Sequence, residues 1–232
     1  MNKRLDLLYE LLPKDGRGII DVGTDHGQLP IRLALSDYPG KLFASDIAEG
    51  PLNAARSAAR AVGQDQRIHF LLCDGLDLCP PEQIDCILIS GMGGDTICGI
   101  LDRAEWIFSE RYVLVLQPMT RPEVVRYWLI HNGFRIDMEA AVKDGEHLYQ
   151  MFRAGLGAAK SMTDAEYLIG GRTVPRMGVP LSLAAGHQLR VIDKKLKGYE
   201  KSGDASDPEY AFYLRIRQEL SEIQTTDTGF GA

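Results

Sequence analysis

The 232-residue chain contains no apolar run near the roughly 18–20 uncharged residues that a membrane-spanning helix requires. No membrane partner is expected. The opening Met-Asn-Lys-Arg-Leu-Asp places Asp6 and Glu10 where a secretory signal keeps its apolar core, so the cytoplasm is the expected compartment. Cysteine is scarce: Cys73, Cys79, Cys86 and Cys98 share one short stretch and form no C-x-x-C pair. A chain of this length builds a core without disulfides or zinc, so the four read as buried thiols and no metal site is expected. Excess positive charge is also missing. Residues 1–155 hold 16 Lys+Arg against 22 Asp+Glu, and residues 156–232 hold 10 of each, so the charge balance alone does not indicate a nucleic-acid binder. Internal repeats and low-complexity tracts are absent, and a monomer is the default state.

What the chain does contain is alternation. Strand-like apolar runs alternate with amphipathic ones up to about residue 155, the pattern of an α/β domain with a parallel sheet and crossover helices. Helices are predicted at 3–12, 28–34, 51–62, 94–104 and from Arg121-Pro122, where proline suits a first turn. Strands are predicted at 18–22, 41–45, 68–72, 84–89 and 112–116. Two further strands, 134–142 and 148–153, flank Lys143-Asp144-Gly145, a hairpin signal, so an antiparallel hairpin closes the sheet.

The small residues of Gly155-Leu-Gly-Ala-Ala-Lys-Ser161 predict a boundary between a domain at 1–155 and a second at 161–232. In the second, Leu189, Ile192, Leu196 and Tyr199 recur at steps of three, four and three, and Tyr213, Ile216, Leu220 and Ile223 repeat those steps. Two such seams joined by a short polar loop predict an antiparallel coiled-coil hairpin of helices. Its first helix carries Arg190, Lys194, Lys195, Lys197 and Lys201 against Asp193 and Glu200, a stripe able to follow phosphates. Arg121 and Arg126 are further candidate phosphate contacts.

Chemistry concentrates at strand ends. In Ile19-Ile-Asp-Val-Gly-Thr-Asp-His-Gly27 an apolar strand ends in an acid and a glycine turn that leads into a helix, the geometry for holding a polar ligand over a sheet. The dinucleotide fingerprint G-x-G-x-x-G is not there, and Asp25 between Gly23 and Gly27 would repel a pyrophosphate. A cationic ligand suits it better. S-adenosylmethionine carries a sulfonium and an α-ammonium, and Asp21-x-Gly23-x-Asp25-x-Gly27 resembles the first motif of methyltransferases that use it. The cofactor-binding candidates in this turn are Asp21, Gly23, Thr24, His26 and Gly27. Asp46, followed by Ile47, ends the second strand, where an acid can bind ribose hydroxyls. Asp74, with Gly75 and Leu76, follows the third, where a carboxylate can accept from an adenine amino group. Ser90-Gly91-Met92-Gly93-Gly94 is expected as a close-approach loop after the fourth strand.

Together these pieces resemble one family, the bacterial TrmK-type tRNA (adenine-N1)-methyltransferases. The match is carried by Lys3-Arg4-Leu5, Asp21-Val-Gly-Thr-Asp-His-Gly27, Leu29-Pro30, Asp46 with Gly50-Pro51, Asp74-Gly75-Leu76, Gly91-Met-Gly-Gly94, Leu116-Gln-Pro118, and Asp144-Gly145 with Tyr149. The resemblance implies a Rossmann-like class I methyltransferase sheet with a terminal antiparallel hairpin and a C-terminal helical domain. It also implies S-adenosyl-L-methionine as cofactor and N1 of adenine 22 in tRNA as target. Gln28 stands where the family commonly has Tyr, and Met119 where it often has Asn. Asp25, His26 and Met92 are the catalytic candidates. A small-molecule methyltransferase and a noncatalytic S-adenosylmethionine- or RNA-binding protein are the alternatives.

Overall fold

The computed structural model describes residues 3–204 and 206–226. The last six residues of the predicted second domain, and Ala205 in its loop, lie outside the described residues. Helix α1 (Lys3–Leu11) leads into β1 (Ile19–Val22), α2 (Gln28–Leu35), β2 (Leu42–Asp46), α3 (Glu49–Ala61) and β3 (Ile68–Leu72). Then follow β4 (Cys86–Gly93), α4 (Gly94–Arg103), β5 (Val113–Thr120), α5 (Pro122–His131), β6 (Phe134–Asp144) and β7 (His147–Leu156). The chain continues through α6 (Asp164–Ile169), β8 (Arg176–Gly178), α7 (Leu181–Ser202) and α8 (Pro208–Thr226).

One sheet runs in the order β3-β2-β1-β4-β5-β7-β6-β8. β1 to β5 pair in parallel and β7 is antiparallel to both neighbours, so the predicted antiparallel hairpin is present, with β8 beyond it at the edge of the sheet. Parallel strands covered on both faces are apolar throughout, and β1 is buried at all four positions. Alternate residues serve opposite cores. Ile20, Val22, Ile87 and Ile89 pack with α4 and α5, whereas Ile19, Cys86 and Leu88 pack with α1 and α2. All four cysteines are free and buried. No helix among the described residues is long and apolar enough to cross a membrane.

Two expectations change. Ser90–Gly93 forms the end of β4 instead of a loop, because β5 extends to Thr120 and offers it a partner; register slips at Met92 and a φ of +82° at Gly91 accommodate the glycines. The first part of the predicted second domain, for which no element is predicted, holds α6 and β8, and β8 extends the sheet of the first domain. β8 pairs in parallel with β6, and Glu139 of β6 fixes it. Arg126 of α5 donates to both Glu139 oxygens at 3.1 Å, to Gln150 Oε1 at 2.6 Å and to the Tyr167 carbonyl at 2.9 Å. Arg176 of β8 donates to the same Glu139 and to the Ile169 carbonyl. Arg126 is therefore fully buried and is no phosphate contact. Gly170, at φ +111°, passes so close that a Cβ would lie 1.9 Å from Glu139 and Arg176.

The helical hairpin proper begins at Leu181. Ile192, Leu196, Ile216, Leu220 and Ile223 form its seam, joined by Ala165 and Ile169 of α6, which holds it against the sheet domain.

Candidate active site

In a sheet of this order the succession of strands reverses between β1 and β4, and a crevice opens at their carboxyl ends. A cavity of about 300 Å³ lies there. Asp21, Gly23, Thr24 and Asp25 of the β1–α2 turn line one side, and Ser90, Gly91 and Met92 of β4 the other. The turn is set by backbone: the Gly23 and Thr24 N–H groups donate to the Ser45 carbonyl at 2.9 and 3.0 Å. Gly23 has φ +70°, a backbone conformation that favours glycine, and the end of the Met92 side chain lies over it.

Asp21 is buried, and Thr24 Oγ1 donates to it at 2.7 Å. Burial outweighs that bond, and the nearby Asp46 adds to it, so the Asp21 carboxyl is pushed up to about 7. Asp25 sits in the left-handed region at φ +48°, a conformation aspartate tolerates better than most residues. Its side chain and that of His26 are largely exposed at the mouth, with His26 Nε2 3.7 Å from Asp25 Oδ1. Gly27, at φ +65°, caps the start of α2.

The remaining predicted ligands follow along the same sheet edge, outside this cavity. Asp46 Oδ1 accepts from the Ala48 N–H at 2.9 Å, which shapes the β2–α3 turn, and Ile47 is exposed beside it. Asp74 is exposed and accepts from Arg103 at 2.9 Å. Gly75 turns at φ +57°, and Leu76 is buried beneath it.

Arg4, in the Lys3-Arg4-Leu5 motif, reaches the cavity from α1. Its Nη1 donates to Gln117 Oε1 at 3.3 Å and contacts Met119 Sδ at 3.0 Å, and its guanidinium lies 5.6 Å from the Tyr149 ring centroid. Gln117 Oε1 also accepts from the Gly91 N–H at 3.3 Å, so the Leu-Gln-Pro motif ties α1 to the end of β4. Leu5, Gln28, Leu29 and Met119 complete the lining.

The basic residues separate. Arg190, Lys194, Lys197 and Lys201 are exposed at steps of four, three and four on one face of α7, whereas Lys195 turns toward α8 and donates to the Tyr213 hydroxyl at 2.9 Å. Arg121 lies apart from the stripe, bound to both oxygens of Asp95 at 2.8 and 2.7 Å. No group of three His, Cys, Asp or Glu side chains among the described residues is arranged to hold a metal.

The chain is similar to known proteins. The tRNA (adenine(22)-N(1))-methyltransferase of Bacillus subtilis is 28% identical over 174 residues, 75% of this chain and 73% of that protein. A structure of a candidate tRNA (m1A22) methyltransferase from Streptococcus pneumoniae, solved with S-adenosyl-L-methionine, is 25% identical with a TM-score of 0.78, covering 97% of this chain and 99% of that one. A Streptococcus agalactiae protein of the NADB-Rossmann superfamily is 27% identical with a TM-score of 0.78, covering 97% of each chain. Over residues 1–152 the chain matches the family described as a methyltransferase domain, and it belongs to that family.

Proposed function

We propose that this chain transfers the methyl group of S-adenosyl-L-methionine to N1 of adenine 22 in tRNA. One observation carries the reading: the likeness to the S-adenosyl-L-methionine-bound S. pneumoniae structure extends over 97% of the chain, so it includes the helical hairpin as well as the sheet. The B. subtilis relative supports the same target. The glycine cradle under Met92 and the carboxyls of Asp21 and Asp25 fit a ligand that carries positive charge.

When bound, the cofactor supplies an electrophilic methyl group on a sulfonium. Asp21 would face the positive charge of its amino-acid part, Asp46 would receive its ribose hydroxyls, and Asp74 to Leu76 would border its adenine. N1 of adenine has an in-plane lone pair, so no base is needed to prepare it, and the chain's work is alignment. The methylated ring is a cation. Asp25, at the mouth of the cavity, and the Ser90–Met92 carbonyls are placed to accept from the exocyclic amino group and to oppose that charge. His26 positions Asp25 at the rim. The target must leave its stack to enter so narrow a crevice. The stripe Arg190, Lys194 and Lys197 holds the RNA backbone on the helical hairpin.

The test is transfer of a labelled methyl to tRNA transcripts with adenine or guanine at position 22, followed by digestion to nucleosides. N1-methyladenosine from the adenine transcript alone is the expected result. Cofactor binding without transfer to either transcript would overturn the assignment.

A further inference from the structure

A second cleft, of about 370 Å³, lies where α5 and α6 meet the helical hairpin. Aromatic rings form both walls. On one side Tyr127 and Tyr167 have centroids 5.8 Å apart, with His131 stacked behind Tyr127 at 3.7 Å. On the other, Phe212 and Tyr213 meet edge to face at 5.6 Å. Each ring of this second wall carries a cation: Arg215 lies 5.5 Å from the Phe212 centroid and Lys195 4.6 Å from that of Tyr213. Ile192 and Ile216 form the floor, and Gln188, Glu123 and Asp164 stand at the rim, Asp164 bound to Arg215 at 2.6 Å.

An interface that only joined two units would close over such rings. Here Tyr127 remains 56% exposed and Phe212 39%. Rings paired with cations, apolar depth and a polar edge suit a planar aromatic group with hydrogen-bonding sides and a phosphate attached. The dimensions select the same class. Along α7 the cleft runs from Gln188 to Lys195, about two turns or roughly 10 Å, enough to lay one base and its phosphate along the helix. The volume falls within the lower part of the roughly 300–1,000 Å³ range of small-ligand pockets.

We propose that this cleft holds one unpaired nucleobase of the tRNA, distinct from the target adenine, an inference that rests on the function proposed above. Tyr127 and Phe212 stack on the base, Gln188 and the rim carboxylates contact its amino and carbonyl groups, and Lys195 with Arg215 meets the adjoining phosphate. Glu123 follows Met119 of the catalytic cavity by four residues, so the cleft opens beside the catalytic edge. The stripe Arg190, Lys194, Lys197 and Lys201 lies on the opposite side of α7 from Gln188, Ile192 and Lys195. The hairpin thus offers backbone contacts on one side and a base site on the other, as a wedge in the inner corner of an L-shaped RNA would.

The experiment compares Tyr127→Ala, Phe212→Ala and Phe212→Tyr in the full chain, with melting temperature and cofactor affinity as controls. Both alanine variants are expected to raise KM for tRNA about ten-fold, in line with the loss of one base stack, while kcat and cofactor affinity stay unchanged and Phe212→Tyr behaves as wild type. Abasic substitution at a single unpaired nucleotide should raise KM for the wild type and add nothing to Phe212→Ala. Unchanged KM in folded alanine variants, or penalties that add at every abasic position, would overturn the base site and point to a protein or small-molecule occupant. In that case the wild type still methylates tRNA, so the parent assignment stands. A wild-type chain that methylates no tRNA removes both.

Discussion

At the scale of the residue, Asp21 carries the sharpest consequence, because its carboxyl titrates near neutrality with the cavity open above it. With a pKa of about 7 in the ligand-free protein, it is largely protonated below that pH, and a cationic ligand must displace the proton. Affinity for S-adenosyl-L-methionine should therefore rise close to ten-fold per pH unit from about 5 to 7 and then level off, with proton release measurable by calorimetry in buffers of different ionisation heat. Asp21→Asn should flatten that profile and weaken binding. The same shift acts on folding with the opposite sense. Since the folded pKa lies above the unfolded value, the contribution to stability is complete below about pH 4 and is lost as pH rises through 7. Asp21→Asn should consequently stabilise the ligand-free chain at pH 8, by about 2–4 °C in melting temperature for each kcal/mol relieved. Asp25 and Asp46 divide the remaining work. Asp25→Ala is expected to lower kcat with little change in cofactor affinity, whereas Asp46→Ala should weaken cofactor binding; full activity in both variants would rule out this division.

Among the elements, the segment from α5 to β8 is held by a buried charge cluster instead of by apolar periodicity. Glu139→Gln removes the carboxylate that Arg126 and Arg176 share, leaving Arg126 without its buried counter-charge; the expected cost is about 3–5 kcal/mol in denaturant unfolding. Arg103→Ala, which breaks a half-exposed pair with Asp74, should cost less than about 1 kcal/mol. This contrast also explains which parts of the fold were legible. Strand β3 and the starts of α2 and α4 were readable to the residue, because local apolar spacing and glycine punctuation suffice there. α6 and β8 were not, because Glu139 finds Arg176 across 37 positions and no window of periodicity sees that pairing. Ser90–Gly93 read as a turn for the opposite reason: its glycines signalled locally, and an extended β5 overrode them. In the site, acids and glycines at strand ends were visible as punctuation, but Arg4 reaches Gln117 from 113 residues away and left only a motif as its trace.

For the whole molecule, the sheet supplies chemistry and the hairpin supplies reach. α7, with 22 residues, is about 33 Å long and carries the basic stripe on its exposed face. Reversing Arg190, Lys194, Lys197 and Lys201 to Glu should raise KM for tRNA steeply and reduce the salt dependence of binding by roughly the number of phosphates lost, with cofactor affinity unaffected. A gel-shift series in rising salt would measure this, and an unchanged slope would place the RNA elsewhere. The position of β8 in the chain bears further on how the protein is made. A nascent chain synthesised as far as Leu156 has seven strands, but Glu139 still lacks Arg176 and the Gly171 N–H. At about 5–20 residues per second, Gly178 is added roughly 1–4 s later. The far edge of the sheet therefore cannot close with the first seven strands: it waits for a segment made after them, and the buried charge of Glu139 stays half-partnered until that segment arrives.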